Sequence, residues 1–218
     1  MAVAFPDDTQ RLGIFGATGS GKTQAALWHL SHRHYELMPW VVYNTKSDAS
    51  IDAIPYAREI EIGEVPAEPG VFIVRPLPHQ QDELEAHLWA IWQRGGTGVY
   101  IDEGYAMGNN NQAFRALLTQ GRSKGIPMIV LSQRPVWLDR FVFSESEFLQ
   151  AFRLQHRKDR AVMEELIPAK LERLPAYHSW YYDALGNKLS EMGPVPSLPV
   201  IHATFERRLS RERRRGVV

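Results

Sequence analysis

"GIFGATGSGKTQAAL", residues 13–27, is the stretch that decides the fold. Apolar Ile14 and Phe15 lead into a glycine-rich turn, and a helix-forming run follows Thr23. Between them stands the pattern G-x-x-x-x-G-K-[ST], carried by Gly16, Gly21, Lys22 and Thr23. A strand entering such a turn and a helix leaving it give this pattern its meaning. Backbone N–H groups of the turn point inward, and the helix N-terminus adds partial positive charge, so the loop suits a polyphosphate. Gly16, Ala17, Thr18, Gly19, Ser20 and Gly21 supply the turn, and Lys22, Thr23 and Gln24 open the helix. Lys22 is expected at the β- and γ-phosphates of a nucleoside triphosphate, with the Thr23 hydroxyl on Mg²⁺. ATP and Mg²⁺ are the expected ligands.

Outward from this loop, apolar runs predict strands at about 11–15, 40–44, 71–75, 98–102 and 126–132, with helical patterns at about 22–34, 80–94 and 110–124. In "DELEAHLWAIWQRGG", Leu84, Leu88 and Ile91 share one helical face before Gly95 and Gly96 stop the run. Strand–helix alternation of this kind predicts an α/β fold with a mostly parallel sheet flanked by helices. Residues 55–70, rich in Pro and Glu, read as an excursion at the domain edge. Further on, "EFLQAFRLQ" reads as a strand, "RKDRAVMEELI" as a helix and "YHSWYYDALGNKL" as a C-terminal β-hairpin. "MGPVPSLPV" reads as an extended linker. The expected organisation is an ATPase domain over 1–190 and a proline-rich linker with a basic C-terminal tail over 191–218.

Two acids close an apolar strand in "TGVYIDEG". Downstream of a phosphate loop they suit separate tasks: Asp102 holds the Mg²⁺ shell and Glu103 orients or deprotonates the attacking water. In "LLTQGRSKGIPMIVLSQRP" a strand ends at Ser132–Gln133, on the sheet edge where the phosphate loop also lies, so Gln133 is expected to sense the γ-phosphate or the water. Arg122 stands in a glycine-flanked turn before that strand, where an arginine can complete a neighbouring subunit's site and stabilise transition-state charge. "HLSHRH" offers His29, His32 and His34, expected at the exposed end of the first helix. "NNN" at 109–111 is expected to cap the helix that follows.

Composition narrows the class. The chain has no cysteine, which removes disulfides and thiolate metal sites. Its start, "MAVAFPDDTQ", has neither the basic nor the apolar stretch of a signal peptide, and no run of apolar residues is long enough for a transmembrane segment. The formal net charge of +0 hides an asymmetry: "ERRLSRERRR" (206–215) carries six arginines and two glutamates, leaving 19 basic and 23 acidic residues elsewhere. A basic tail on a slightly acidic body suits nucleic acid or an acidic protein.

"GATGSGKT", "VYIDEG" and "QGRSKGIPMIVLSQRP", with the strand and helix that follow, together resemble the FtsK–HerA superfamily of DNA-pumping ATPases over about residues 11–160. "VVYNTKSD" is similar to the strand that ends in Asp-Pro-Lys in that family: Lys46 matches the lysine, and Asn44 stands where the acid is usual. Within the superfamily the chain looks most like the genome-packaging ATPases of membrane-containing icosahedral, tectivirus-type viruses. The resemblance implies a RecA-like (ASCE) P-loop core and a homo-oligomeric, hexameric ring around double-stranded DNA. It also implies Lys22 and Thr23 at the nucleotide, Asp102 and Glu103 at metal and water, Gln133 as sensor, and Arg122 as the trans-acting arginine, with Arg115 and Arg134 as substitutes. Capsid or packaging-vertex proteins are the partners expected for the basic tail, and the host cytoplasm or the virion vertex is the expected location. Two other functions compete: a filamentous-phage assembly ATPase like the zonula occludens toxin family, and a nucleotide-dependent assembly switch.

Overall fold

The computed structural model describes residues 3–108, 110–172 and 174–215, with side chains through Leu209. Asn109 and the side chains of Arg211, Arg213, Arg214 and Arg215, which belong to the capping loop and the basic tail, lie outside the described residues. Among those residues nine strands form one sheet in the order β3-β4-β2-β5-β6-β1-β7-β8-β9. The seven strands β1 (Arg11–Phe15), β2 (Pro39–Tyr43), β3 (Arg58–Glu59), β4 (Gly70–Val74), β5 (Gly98–Ile101), β6 (Met128–Ser132) and β7 (Phe148–Phe152) run parallel. β8 (Ser179–Asp183) and β9 (Lys188–Met192) extend the sheet antiparallel beyond β7 as the expected hairpin.

Sequence explains the layering. "PWVVY", "GVFIV" and "MIVLS" are buried at every position, the near-continuous apolar reading of strands covered on both faces. On one face α3 (Gln81–Arg94), α4 (Gln112–Gln120) and α6 (Arg157–Leu166) close a core with Leu88, Leu117 and Met163 buried. On the other face α1 (Lys22–Ser31), α2 (Ala49–Asp52) and α7 (Leu198–Arg215) cover Leu12, Ile14, Val42 and Ile129. Asn111 caps α4, its side chain accepting from the Phe114 N–H at 2.8 Å. A short α5 (Phe141–Ser144) follows β6. No helix among the described residues is long and apolar enough to cross a membrane.

Two expectations are corrected. The segment read as linker and tail does not hang free: β9 runs to Met192, and α7 begins at Leu198 and packs on α1. Ile201, Phe205 and Leu209, spaced by four, bury one stripe of α7, and the Phe205 ring stacks on Tyr35 at 5.3 Å. Burial of a phenylalanine side chain contributes about 2 kcal/mol. Arg208 fixes the helix further, donating to the Ser31 carbonyl at 2.9 Å and pairing with Glu36. The second correction concerns His29, which is not at an exposed helix end. It is buried, 2.9 Å from Gln150 Oε1, and burial holds its pKa down at about 3.

Candidate active site

Parallel strands aligned in register bring distant residues to one edge. Phe15 lies beside Ser132, Val130 beside Ile101, and Ile101 beside Tyr43, so the residues that follow β1, β6, β5 and β2 emerge together. The turn after β1 is tied to its neighbours: the Gly16 N–H donates to the Ser132 carbonyl at 3.2 Å and the Ala17 N–H to the Arg153 carbonyl at 3.1 Å. Gly21, which caps α1, has φ 96°, a left-handed backbone that glycine adopts without strain. At Gly16 a Cβ would meet Ser20 Oγ at 2.5 Å and Phe152 Cβ at 2.8 Å, so a side chain there would force its neighbours to shift. Ser20 Oγ is buried with no hydrogen-bond partner among the described residues, a donor a phosphate oxygen would satisfy.

Lys22, Asp102 and Glu103 are all buried here, at 8%, 2% and 0% exposure. Burial pulls the Lys22 pKa down while Glu103 and Asp102 pull it back up. Burial raises Asp102 to about 6 against the opposing pull of Lys22 and Lys46. A carboxylate so destabilised in isolation is suited to a cation. Glu103 is gripped from two sides. Its Oε1 accepts from the Gln133 N–H at 3.0 Å, and its Oε2 pairs with Lys46 Nζ. The Gln133 side chain turns toward the phosphate loop, where its Oε1 accepts from Thr18 Oγ1 at 2.7 Å. Asp102, Glu103 and Gln133 therefore converge on the loop.

No family model matches the chain. One relative, DNA packaging ATPase P9 of Enterobacteria phage PRD1, is 45% identical over 218 residues, covering 94% of this chain and 96% of its own. This chain belongs to the family of viral DNA packaging ATPases. Among solved structures, the genome packaging NTPase B204 of Sulfolobus turreted icosahedral virus 2, in complex with ATP-gammaS, superposes with a TM-score of 0.68. It is 17% identical, and the match covers 88% of this chain and 100% of that one. VirB4 of Thermoanaerobacter pseudethanolicus matches with a TM-score of 0.66 at 11% identity, over 91% of this chain and 93% of that one. At such identities the likeness concerns the fold, the RecA-like core with its mostly parallel sheet.

Not every expected residue of this packaging ATPase joins the cluster. The Gln24 side chain leaves the loop and donates to the Pro196 carbonyl at 2.7 Å, tying α1 to the segment before α7. Arg122 lies in a 3₁₀ turn (Gly121–Lys124) at the opposite edge of the sheet, before β6 begins. The four steps along β6 separate the two edges by about 13 Å, so Arg122 lies remote from the loop of the same chain. It is half exposed and 3.6 Å from Glu147. Arg115 is paired with Asp139 at 2.5 Å, and Arg134 with the buried Asp159 at 2.9 Å, so both have structural tasks. Sequence reading missed Arg153 and Tyr177. Both line a cavity of about 280 Å³ beside Thr18 and Ser20. Arg153 directly follows the fully buried β7, and that position at the loop's edge was the available signal.

Proposed function

We propose that this packaging ATPase hydrolyses Mg²⁺-bound ATP to drive double-stranded DNA into a preformed viral capsid. The carrying observation is the buried Glu103 at the end of β5, held by the Gln133 amide whose own side chain reaches the phosphate loop. Lys22 places a point charge on the β- and γ-phosphates. Thr23 and Asp102 are the residues to hold Mg²⁺, whose chemistry when bound is to neutralise phosphate charge. Glu103 accepts a proton from the water that attacks the γ-phosphate, and Gln133, leaving Thr18, orients that water. The cavity beside Arg153 and Tyr177 takes the nucleoside end. Arg122, remote from its own loop, faces the site of a neighbouring subunit in a hexameric ring with DNA at its centre. Arginines of the basic tail touch DNA phosphates or a capsid-vertex protein, and the protein works in the host cytoplasm at the packaging vertex.

An assembly switch would need ATP binding but no water-directed base, so the Glu103–Gln133 pair favours hydrolysis. A filamentous-phage assembly role is disfavoured by the relationship to a packaging ATPase. ATP turnover with and without double-stranded DNA, measured beside native mass, tests the proposal. DNA-stimulated turnover in a six-subunit assembly is expected; turnover indifferent to DNA in an assembled ring would defeat it.

A further inference from the structure

Lys46 has no task in the mechanism above, yet it touches the residue on which that mechanism depends. It leaves the sheet after β2 and reaches across to β5, where its Nζ meets Oε2 of Glu103. The glutamate is fully buried, whereas the lysine side chain is 38% exposed. On the other side the Gln133 N–H donates to Oε1 at 3.0 Å. Each carboxylate oxygen thus has one donor, and the two donors come from strands on opposite sides of β5. With Thr18 bonded to Gln133 at 2.7 Å, an unbroken line of contacts runs Thr18–Gln133–Glu103–Lys46. It follows the strand order β1-β6-β5-β2 along the catalytic edge.

A carboxylate held at one oxygen can still turn about its Cγ–Cδ bond; held at both, its plane is fixed. Each oxygen keeps a second lone pair, so the two donors leave room for a water. The ammonium also adds compensation for a buried charge that otherwise shares Lys22 with Asp102. Beside the pair lies a cavity of about 270 Å³ lined by Pro76, Leu77 and Tyr105, which leaves the lysine stem space to adjust. We propose that Lys46 is a positioning residue that fixes the Glu103 carboxylate from the β2 side so that its free lone pair faces the attacking water. This rests on the reading of Glu103 as the base.

The test measures steady-state ATP hydrolysis and thermal unfolding of the full chain for Lys46→Met, Lys46→Arg, Glu103→Gln and the Lys46→Met/Glu103→Gln double variant. Lys46→Met should lower kcat about 10- to 100-fold, the scale of a misplaced catalytic group, and leave KM for ATP unchanged. Lys46→Arg, which keeps charge and donors, should recover most of the rate. Lys46→Met should also lower the Tm, and adding Glu103→Gln should recover part of that loss, because Glu103 then carries no charge for Lys46 to compensate. A wild-type kcat in Lys46→Met, a loss expressed in KM, or additive Tm losses would overturn the inference while leaving Glu103 as base. Wild-type turnover in Glu103→Gln would overturn the reading of the base and this inference with it. If Lys46→Met does not fold, Lys46→Ala, which likewise removes both the charge and the donor, is measured instead with the same outcomes.

Discussion

The two edges of the sheet each bury a carboxylate, and their environments treat it in opposite ways. At the edge where β1 and β7 begin, burial pushes the Glu147 pKa up, but hydrogen bonds from Arg11 outweigh it and hold the group low. Arg11 reaches it through its backbone N–H at 2.8 Å, Nε at 3.2 Å and a terminal guanidinium nitrogen at 2.7 Å. That pair is complete in itself. At the edge where β5 ends, burial wins and Asp102 rises to about 6 despite Lys22 and Lys46. A finished ion pair fastens strands; an under-compensated carboxylate is suited to a cation. Desolvation acts at both edges, and the hydrogen bonds that offset it at Glu147 and not at Asp102 separate them.

The largest expected effect breaks the catalytic edge. Glu103→Gln should reduce hydrolysis about 10²- to 10⁴-fold, the usual contribution of a general base, while equilibrium binding of an ATP analogue persists. Lys22→Ala should lose both. At the structural edge, Arg11→Met should leave kcat near wild type and cost about 3–5 kcal/mol in denaturant unfolding, because Glu147 remains buried without its main partner. Comparable activity losses from the two edges would erase the distinction drawn between them. Smaller in effect, Phe205→Ala should cost about 3 kcal/mol, showing that α7 belongs to the folded core.

Asp102→Asn gives the smallest shift and the sharpest contrast with Glu147. Its folded pKa of about 6 exceeds the ordinary 3.8, so the native state binds the extra proton between those values. Stability therefore falls as pH rises through that window. The asparagine variant of the nucleotide-free protein should be more stable by about 1–3 kcal/mol at pH 8, with the gain shrinking toward pH 5. A gain independent of pH would mean that the carboxylate is not held under strain by burial.

What the sequence made legible was local in spacing. The loop from Gly16 to Thr23, the Asp102–Glu103 pair and Gln133 each end an apolar run, and parallel pairing carries such ends to one edge. α7 was hidden because Pro194, Pro196 and Pro199 read as linker and the arginines outnumber the stripe of Ile201, Phe205 and Leu209. Pro199 is compatible with helix because it falls in the first turn, where its missing N–H costs nothing. The grip of Lys46 on Glu103 was illegible for another reason: it joins side chains 57 positions apart across adjacent strands, and register, not spacing, decides it. Tyr177 likewise reaches the loop only through the fold, its ring 3.2 Å from where a Cβ on Gly21 would stand.

The proposed function requires Arg122 of one subunit to complete the phosphate-loop edge of its neighbour. Mixing Arg122→Ala with Glu103→Gln under subunit exchange tests it most directly. Alone, Arg122→Ala should bind ATP normally and lose about a thousandfold in hydrolysis, the effect of an arginine finger. In the mixture, some interfaces pair an intact Glu103 with an intact Arg122, and activity should rise above the sum of the two separate variants. Activity no greater than that sum after verified exchange, with Arg122→Ala alone at full rate, would rule out an arginine acting across the subunit interface.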